Sequence, residues 1–200
     1  MIALIDYKAG NLTSVKKALA SLGAHVFVPD APGDLARAAG IIVPGVGHFG
    51  ATRVLDRAWM NQIVDHVTRG QPLLGICLGM QWLFESSEEA SDVPGLGLLG
   101  GTCVKLAANG LKVPHVGWNS LSLQRQSWIT DGLCDEPQVY FTHSFVAPVT
   151  GDTVAVTEHG EGFASIVQRG QIAGVQFHPE KSGSAGLRIL KNFIDLSRRI

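Results

Sequence analysis

Apolar residues in this chain follow two rhythms. In the first half, short apolar runs alternate with stretches whose apolar positions recur every three or four residues. Residues 2–6 (IALID) read as a first strand. Leu12, Val15, Leu19 and Leu22 then share one face of a helix that Asn11 can cap and Gly23 can end, after a turn over Lys8-Ala9-Gly10-Asn11. Residues 25–29 read as a second strand, 34–39 as a short helix and 40–43 as a third strand. A helix over about 51–68 follows, with Leu55, Trp59, Ile63 and Val67 at spacing four, and Gly70 stops it. Leu73, Leu74 and Ile76 make a fourth strand, apolar enough to be covered on both faces. This βαβα order predicts an α/β fold with a mostly parallel central sheet flanked by helices.

The rhythm changes beyond residue 85. Residues 86–92 are polar and acidic, and Pro94-Gly95-Leu96-Gly97 is loop-like. From 98 to 177 come short β-rich runs (102–106, 138–146, 153–157, 164–168 and 172–177) with glycine and asparagine turns. They predict a second, smaller, mostly antiparallel sheet folded against the first. A helix over about 184–197 closes the chain, with Leu187, Leu190, Phe193 and Ile194 inward and Arg188, Lys191, Arg198 and Arg199 outward. No linker is long enough to separate domains, so residues 1–200 are expected to form one domain.

Composition narrows the function classes. Two hundred residues with 46% hydrophobic content can bury a large core. A net charge of −1 with no basic stretch argues against nucleic-acid or membrane-surface binding. No apolar run is long enough to span a bilayer, and the opening residues do not resemble a signal peptide. Cys77, Cys103 and Cys134 are odd in number and far apart, which suggests neither disulfides nor a metal site. A reducing, cytoplasmic setting without metal or cofactor is the expectation.

The densest chemistry lies at residues 72–84 (PLLGICLGMQWLF), a strand and an apolar helix joined at one cysteine. Gly75 and Gly79 flank Cys77, and a strand can feed straight into a helix only where the backbones approach closely. The layout is that of a nucleophile elbow with sulfur at its tip. The helix N-terminus favours thiolate, and the Leu78 N–H can donate to an oxyanion. The competing reading is one more buried cysteine. The third strand runs into Pro44-Gly45-Val46-Gly47-His48-Phe49-Gly50, which has no nucleotide-binding spacing. Its Val46–Gly47 backbone is a candidate second oxyanion donor, and a plain turn is the alternative.

A cysteine nucleophile needs a base, and the base an orienting group. Of seven histidines, His25, His66 and His159 read as surface or turn residues. His48 lies in the glycine loop, and His115 and His143 in β-rich segments. His178 stands at a strand end in GVQFHPE (174–180), and Glu180 can return to the same side to fix its tautomer. A capped strand end with a solvated glutamate is the alternative.

GICLGMQ at 75–81, PGVG at 44–47 and FHPE at 177–180 together resemble the class I glutamine amidotransferases. Further stretches, IDYKAGNL at 5–12, PHVGWN at 114–119, YFTHSF at 140–145 and GVQFHPEKSG at 174–183, resemble the branch that serves a cyclase in histidine biosynthesis. The resemblance implies a glutaminase with Cys77 as nucleophile, His178 as base and then acid, and Glu180 as its orienter. It implies an oxyanion hole from the backbone at Val46, Gly47 and Leu78. Glutamine would be held by Gly47, Gln81, Glu89 and the backbone at Ser144 and Phe145. Asn11, Trp118, Tyr140 and Lys181 would face a (β/α)8-barrel cyclase subunit, the other half of a heterodimer that receives the ammonia. Lys8 departs from the small residue the family more often has there. Two rivals are the glutaminase of another amidotransferase, such as that of anthranilate synthase, and a flavodoxin-like module with an inert elbow. Cys103 and Cys134, with no elbow or base nearby in sequence, are expected not to react with a glutamine-like electrophile.

Overall fold

The computed structural model describes residues 1–9 and 11–199. Gly10, in the turn read over residues 8–11, and Ile200 lie outside them. The strands and helices are β1 (Ile2–Leu4), α1 (Leu12–Ser21), β2 (Val26–Phe27), β3 (Gly40–Val43), α2 (Arg57–Thr68), β4 (Leu73–Ile76) and α3 (Leu78–Trp82), followed by β5 (Ser86–Ser87), β6 (Thr102–Lys105) and β7 (His115–Ser120). Then come β8 (Ser122–Leu123), β9 (Gln138–His143), β10 (Phe145–Val146), β11 (Thr153–His159), β12 (Glu161–Arg169), β13 (Ile172–Val175) and α4 (Gly183–Ser197).

Among the described residues the main sheet runs β2-β1-β3-β4-β13-β12-β11-β8. Its pairs are parallel from β2 through β13 and antiparallel beyond. Successive residues alternate between two cores. Ile2, Leu4, Ile42, Leu74 and Ile76 pack with Val15 and Leu19 of α1 and with Ile189, Leu190, Phe193 and Ile194 of α4. Ala3, Ile41, Val43 and Leu73 face the other way, against Leu35, Ile63, Met80 and Trp82. Helices therefore cover both faces, as the apolar strands require.

Several boundaries differ from the sequence reading. The 34–39 segment is a 3-10 helix at Pro32–Arg37. The helix expected over 51–68 is a 3-10 helix at Phe49–Val54 and then α2, because Asp56 caps a fresh start by accepting from the Ala58 and Trp59 amides. Leu187 stands exposed at 36%, and Ile189 takes its place on the inner face of α4. The strands at 153–159, 161–169 and 172–175 extend the central sheet instead of building a separate one. The reason lies in β12, whose five successive residues from Phe163 to Val167 are all buried, as a strand covered on both sides requires. The smaller sheets are β10-β6-β5, in which β6 pairs antiparallel to β10, and the antiparallel pair β7-β9. The run expected over 138–146 breaks at Ser144, where the chain leaves one small sheet for the other. No helix among the described residues is long and apolar enough to cross a membrane.

Candidate functional site

Strands β4 and β13 are parallel neighbours, with Ile76 opposite Val175. Cys77 and His178, 101 positions apart in sequence, therefore emerge at adjacent carboxyl ends of the sheet, where such folds bind ligands. Cys77 adopts φ 52 and ψ −108, a conformation that costs a non-glycine residue on the order of 1–3 kcal/mol. Two backbone bonds hold it there. Its N–H donates to the Val175 carbonyl at 2.7 Å as part of the sheet, and its C=O accepts from Gln81 N at 3.1 Å as part of α3. The flanking glycines allow that join. A Cβ on Gly79 would lie 1.8 Å from the Val43 carbonyl oxygen, and one on Gly75 would lie 2.6 Å from the Gly79 oxygen. Leu78 opens α3, so its N–H has no intrahelical acceptor.

The His178 amide donates to the Tyr140 carbonyl at 2.9 Å, which carries the chain from β13 into a 3-10 turn at Pro179–Lys181. Within that turn Nδ1 of His178 lies 3.0 Å from Oε1 of Glu180, and both side chains are nearly solvent-free. Burial by itself would lower His178, but the Cys77 sulfur and the Glu180 carboxylate outweigh it and raise the imidazole to about 9. Nε2 of His178 is buried without a hydrogen-bond partner among the described residues. Cys77, His178 and Glu180 thus form one cluster.

A narrow cleft of about 40 Å³ opens over the sulfur, lined by Gly47, Cys77, Leu78, Gln81, Glu89, Thr142, His143, Ser144 and Phe145. That volume admits a few waters, so a ligand the size of an amino acid must widen it. Larger surface grooves of about 760 Å³ along α4 and about 620 Å³ beside α2 lie away from Cys77, and neither is lined by a histidine or a cysteine. Gly47 sits at the cleft mouth with φ 103, and Val46 beside it is half-buried. Glu89 accepts from the Phe49 amide at 2.6 Å, which ties its short turn to the glycine loop. Gln81 spends both amide protons inward, on the Phe145 carbonyl at 2.8 Å and on Gln176 Oε1 at 3.1 Å. Only its carbonyl oxygen remains for a ligand.

Elsewhere, Trp118 projects from β7 with 57% of its surface exposed and meets the Tyr140 ring edge-on at 6.1 Å. Lys181 Nζ stands 5.8 Å from the centre of the Tyr140 ring, so three of the four candidate interface residues share one patch. Asn11 caps α1 by accepting from Ser14 N at 3.3 Å. Lys8 turns back on Asp6, to which its Nζ donates at 3.0 Å.

Three features escaped the sequence reading. Gln176 donates to the Cys77 sulfur at 3.6 Å from beneath; its position two residues before His178 was the available signal. Tyr7 is 3% exposed, its hydroxyl has no partner among the described residues, and a Cβ on Gly45 would lie 1.9 Å from it. Burial first, and then the Cys77 sulfur, push that phenol above its usual range. His66, read as a surface or turn residue, is instead fully buried, with Nε2 3.2 Å from the Pro72 carbonyl. Its setting on the inner face of α2 explains the difference. The other thiols divide: Cys103 is buried, and burial pushes it up, whereas Cys134 is exposed and open to any general thiol reagent.

Comparison with known proteins gives one consistent answer. The family model described as glutamine amidotransferase class-I matches residues 3–196. The imidazole glycerol phosphate synthase subunit HisH of Moorella thermoacetica is 47% identical, over 98% of this chain and 95% of that protein. The subunit of the same name from Bacillus cereus is 45% identical, over 96% and 93%. A solved structure described as a glutamine amidotransferase superposes with a TM-score of 0.77 at 20% identity, covering 99% of this chain and 100% of that one, a likeness of fold.

Proposed function

This chain belongs to the class I glutamine amidotransferases, and we propose that residues 1–200 act as one such domain with Cys77, His178 and Glu180 as its catalytic group. It is a glutamine-hydrolysing subunit of imidazole glycerol phosphate synthase. Its sulfur, having given its proton to His178 Nε2, attacks the side-chain carbonyl carbon of glutamine. Collapse of the tetrahedral adduct breaks the carbon–nitrogen bond, and His178 returns the proton to the departing ammonia. Water then attacks the thioester, again giving a proton to His178, which passes it back to the sulfur as glutamate leaves. Glu180 keeps the imidazole in the tautomer that faces the sulfur. Amides at Leu78 and at Val46–Gly47 stabilise both oxyanions. Gln81 and Glu89 meet the polar groups of the substrate, Glu89 its ammonium, and the amides of Ser144 and Phe145 its carboxylate.

The partner in this reading is a (β/α)8-barrel cyclase subunit that docks on the patch of Trp118, Tyr140 and Lys181, with Asn11 at its edge. Ammonia passes to it without mixing with solvent, in the cytoplasm, and is built into imidazole glycerol phosphate.

The observation that carries the reading is the His178 ring held between the Cys77 sulfur and the Glu180 carboxylate at the ends of two neighbouring strands. The test is glutamate release from glutamine by the chain with and without a co-purified cyclase. Slow hydrolysis by the chain alone and fast hydrolysis by the pair is the expected result. A glutamine-analogue electrophile that leaves Cys77 unlabelled in the pair would overturn it.

A further inference from the structure

The wall of the cleft formed by His143, Ser144 and Phe145 is held by a chain of hydrogen bonds that runs in one direction. His143 Nδ1 lies 3.1 Å from the Phe145 carbonyl oxygen. A carbonyl only accepts, so Nδ1 carries the proton. Burial lowers His143 to about 3 and His115 to about 4, so both rings are neutral. His143 Nε2 is then an acceptor, and its partner at 3.1 Å, His115 Nδ1, must donate. That leaves His115 Nε2 to accept from Asn119 Nδ2 at 3.3 Å. The orientation of Asn119 is fixed independently: Nδ2 also donates to the Glu158 carbonyl at 2.9 Å, and Oδ1 accepts from Ser120 N at 2.8 Å. Every proton therefore points the same way, from β7 through two rings to one carbonyl.

That carbonyl is well placed. Leu106 N donates to Ser144 O at 2.9 Å, which turns the Ser144 carbonyl toward β6, and the Phe145 N–H on the same trans peptide the opposite way. The pair of Phe145 and Lys105 is then a non-bonded one, with the N–H and C=O of Phe145 turned away from β6. They face the side from which Gln81 reaches the same carbonyl at 2.8 Å. With its C=O anchored twice, Phe145 presents its N–H toward the cleft.

We infer that His115 and His143 are positioning residues for the substrate: their one-way chain fixes the Phe145 backbone that offers its amide to the α-carboxylate of glutamine. The inference rests on the glutaminase reading above. A pair of core histidines with a merely structural role would leave substrate affinity alone.

The experiment compares the full chain, paired with its cyclase, as wild type, His143→Phe, His143→Asn and His115→Phe. Losing the anchor in His143→Phe raises KM for glutamine about tenfold and leaves kcat within about threefold. His143→Asn places an amide donor near the old Nδ1 and recovers most of the loss. Iodoacetamide has no carboxylate, so its rate of reaction at Cys77, followed by peptide mass to separate it from Cys134, stays as in wild type. If His143→Phe does not fold, His115→Phe keeps the ring at 143 and removes its donor; a KM increase of about threefold is then expected. An unchanged KM in whichever of the two phenylalanine variants folds, or a parallel fall of kcat and alkylation rate, overturns the proposal. A wild-type pair that releases no glutamate sinks the glutaminase reading itself, an outcome distinct from an active wild type and variants with unaltered KM.

Discussion

Nδ1 of His178 and Oε1 of Glu180 meet at 3.0 Å inside the protein, and the geometry leaves one role for each. An ionised carboxylate only accepts, so Nδ1 donates and Nε2 is the nitrogen left for the sulfur. In Glu180→Gln the amide can present a donor to Nδ1 and invert the tautomer. A drop in kcat of about a hundredfold or more is expected, with KM for glutamine nearly unchanged. Steady-state kinetics of the paired subunits read both. Equal kcat values for Glu180→Gln and wild type would remove Glu180 from the mechanism.

His178, between the Cys77 sulfur and Glu180, also links stability to pH. His178 is raised to about 9 in the folded chain, against an ordinary value of 6.5, so the folded state binds its proton more tightly than the unfolded state does. The stabilisation is complete below about pH 6.5, declines as pH rises and is gone above about 9. Its size at the acidic end is on the order of a few kcal/mol. The melting temperature of wild type minus that of His178→Gln should therefore shrink steadily between pH 6.5 and 9. A difference that grows over this range contradicts the assignment.

Cys77 pays for its position with a strained backbone. Cys77→Ala should abolish glutamate release and keep a cooperative unfolding transition. Cys77→Gly should be more stable than Cys77→Ala by about 1 kcal/mol, although glycine ordinarily destabilises, because φ 52 suits it. Chemical denaturation of the two variants decides the matter.

Gly79→Ala would push a methyl group to 1.8 Å from the Val43 carbonyl oxygen, a backbone atom that has no rotamer to yield. A loss of more than about 3 kcal/mol is expected, and β3 and α3 must separate if the variant folds at all. A Cβ on Gly47 would meet nothing within 4 Å among the described residues, so Gly47→Ala should cost only the strain of φ 103, about 1–3 kcal/mol, and act chiefly on kcat. Comparing the two melting curves checks that ordering.

Trp118 contributes little to the isolated chain because more than half of it faces solvent. Trp118→Ala should move the stability of the free subunit by less than about 1 kcal/mol and weaken binding to the cyclase at least tenfold, as removal of an aromatic anchor does. Calorimetric titration measures the second effect. Unaltered affinity would place the docking surface elsewhere.

Strands β1, β3 and β4 were legible because each is a continuous buried apolar run, and α1 because Asn11 and Gly23 bound its apolar stripe. The elbow was legible because close backbone approach leaves a sequence trace, the glycines at 75 and 79. The placement of 153–175 was not, since membership of a sheet depends on which edge is free, and β4 offered its edge to β13 only in three dimensions. The break at Ser144 left no trace either. Residues 138–146 alternate as one strand would, and it is the bond from Leu106 that recruits the second half into another sheet. The burial of His66 and the contacts of Gln176 and Tyr7 share this cause: a polar residue inside a core is decided by neighbours distant in sequence.

The adjacency of β4 and β13 has a temporal side. During synthesis the sulfur leaves the ribosome about a hundred residues before the imidazole, and a nascent chain that has emerged only through residue 170 has neither β13 nor His178. Whatever thiol chemistry the unfinished polypeptide meets, it meets without its base. On the proposed mechanism, deamidation of glutamine can begin only once β13 has been translated and has paired with β4 in the middle of the sheet.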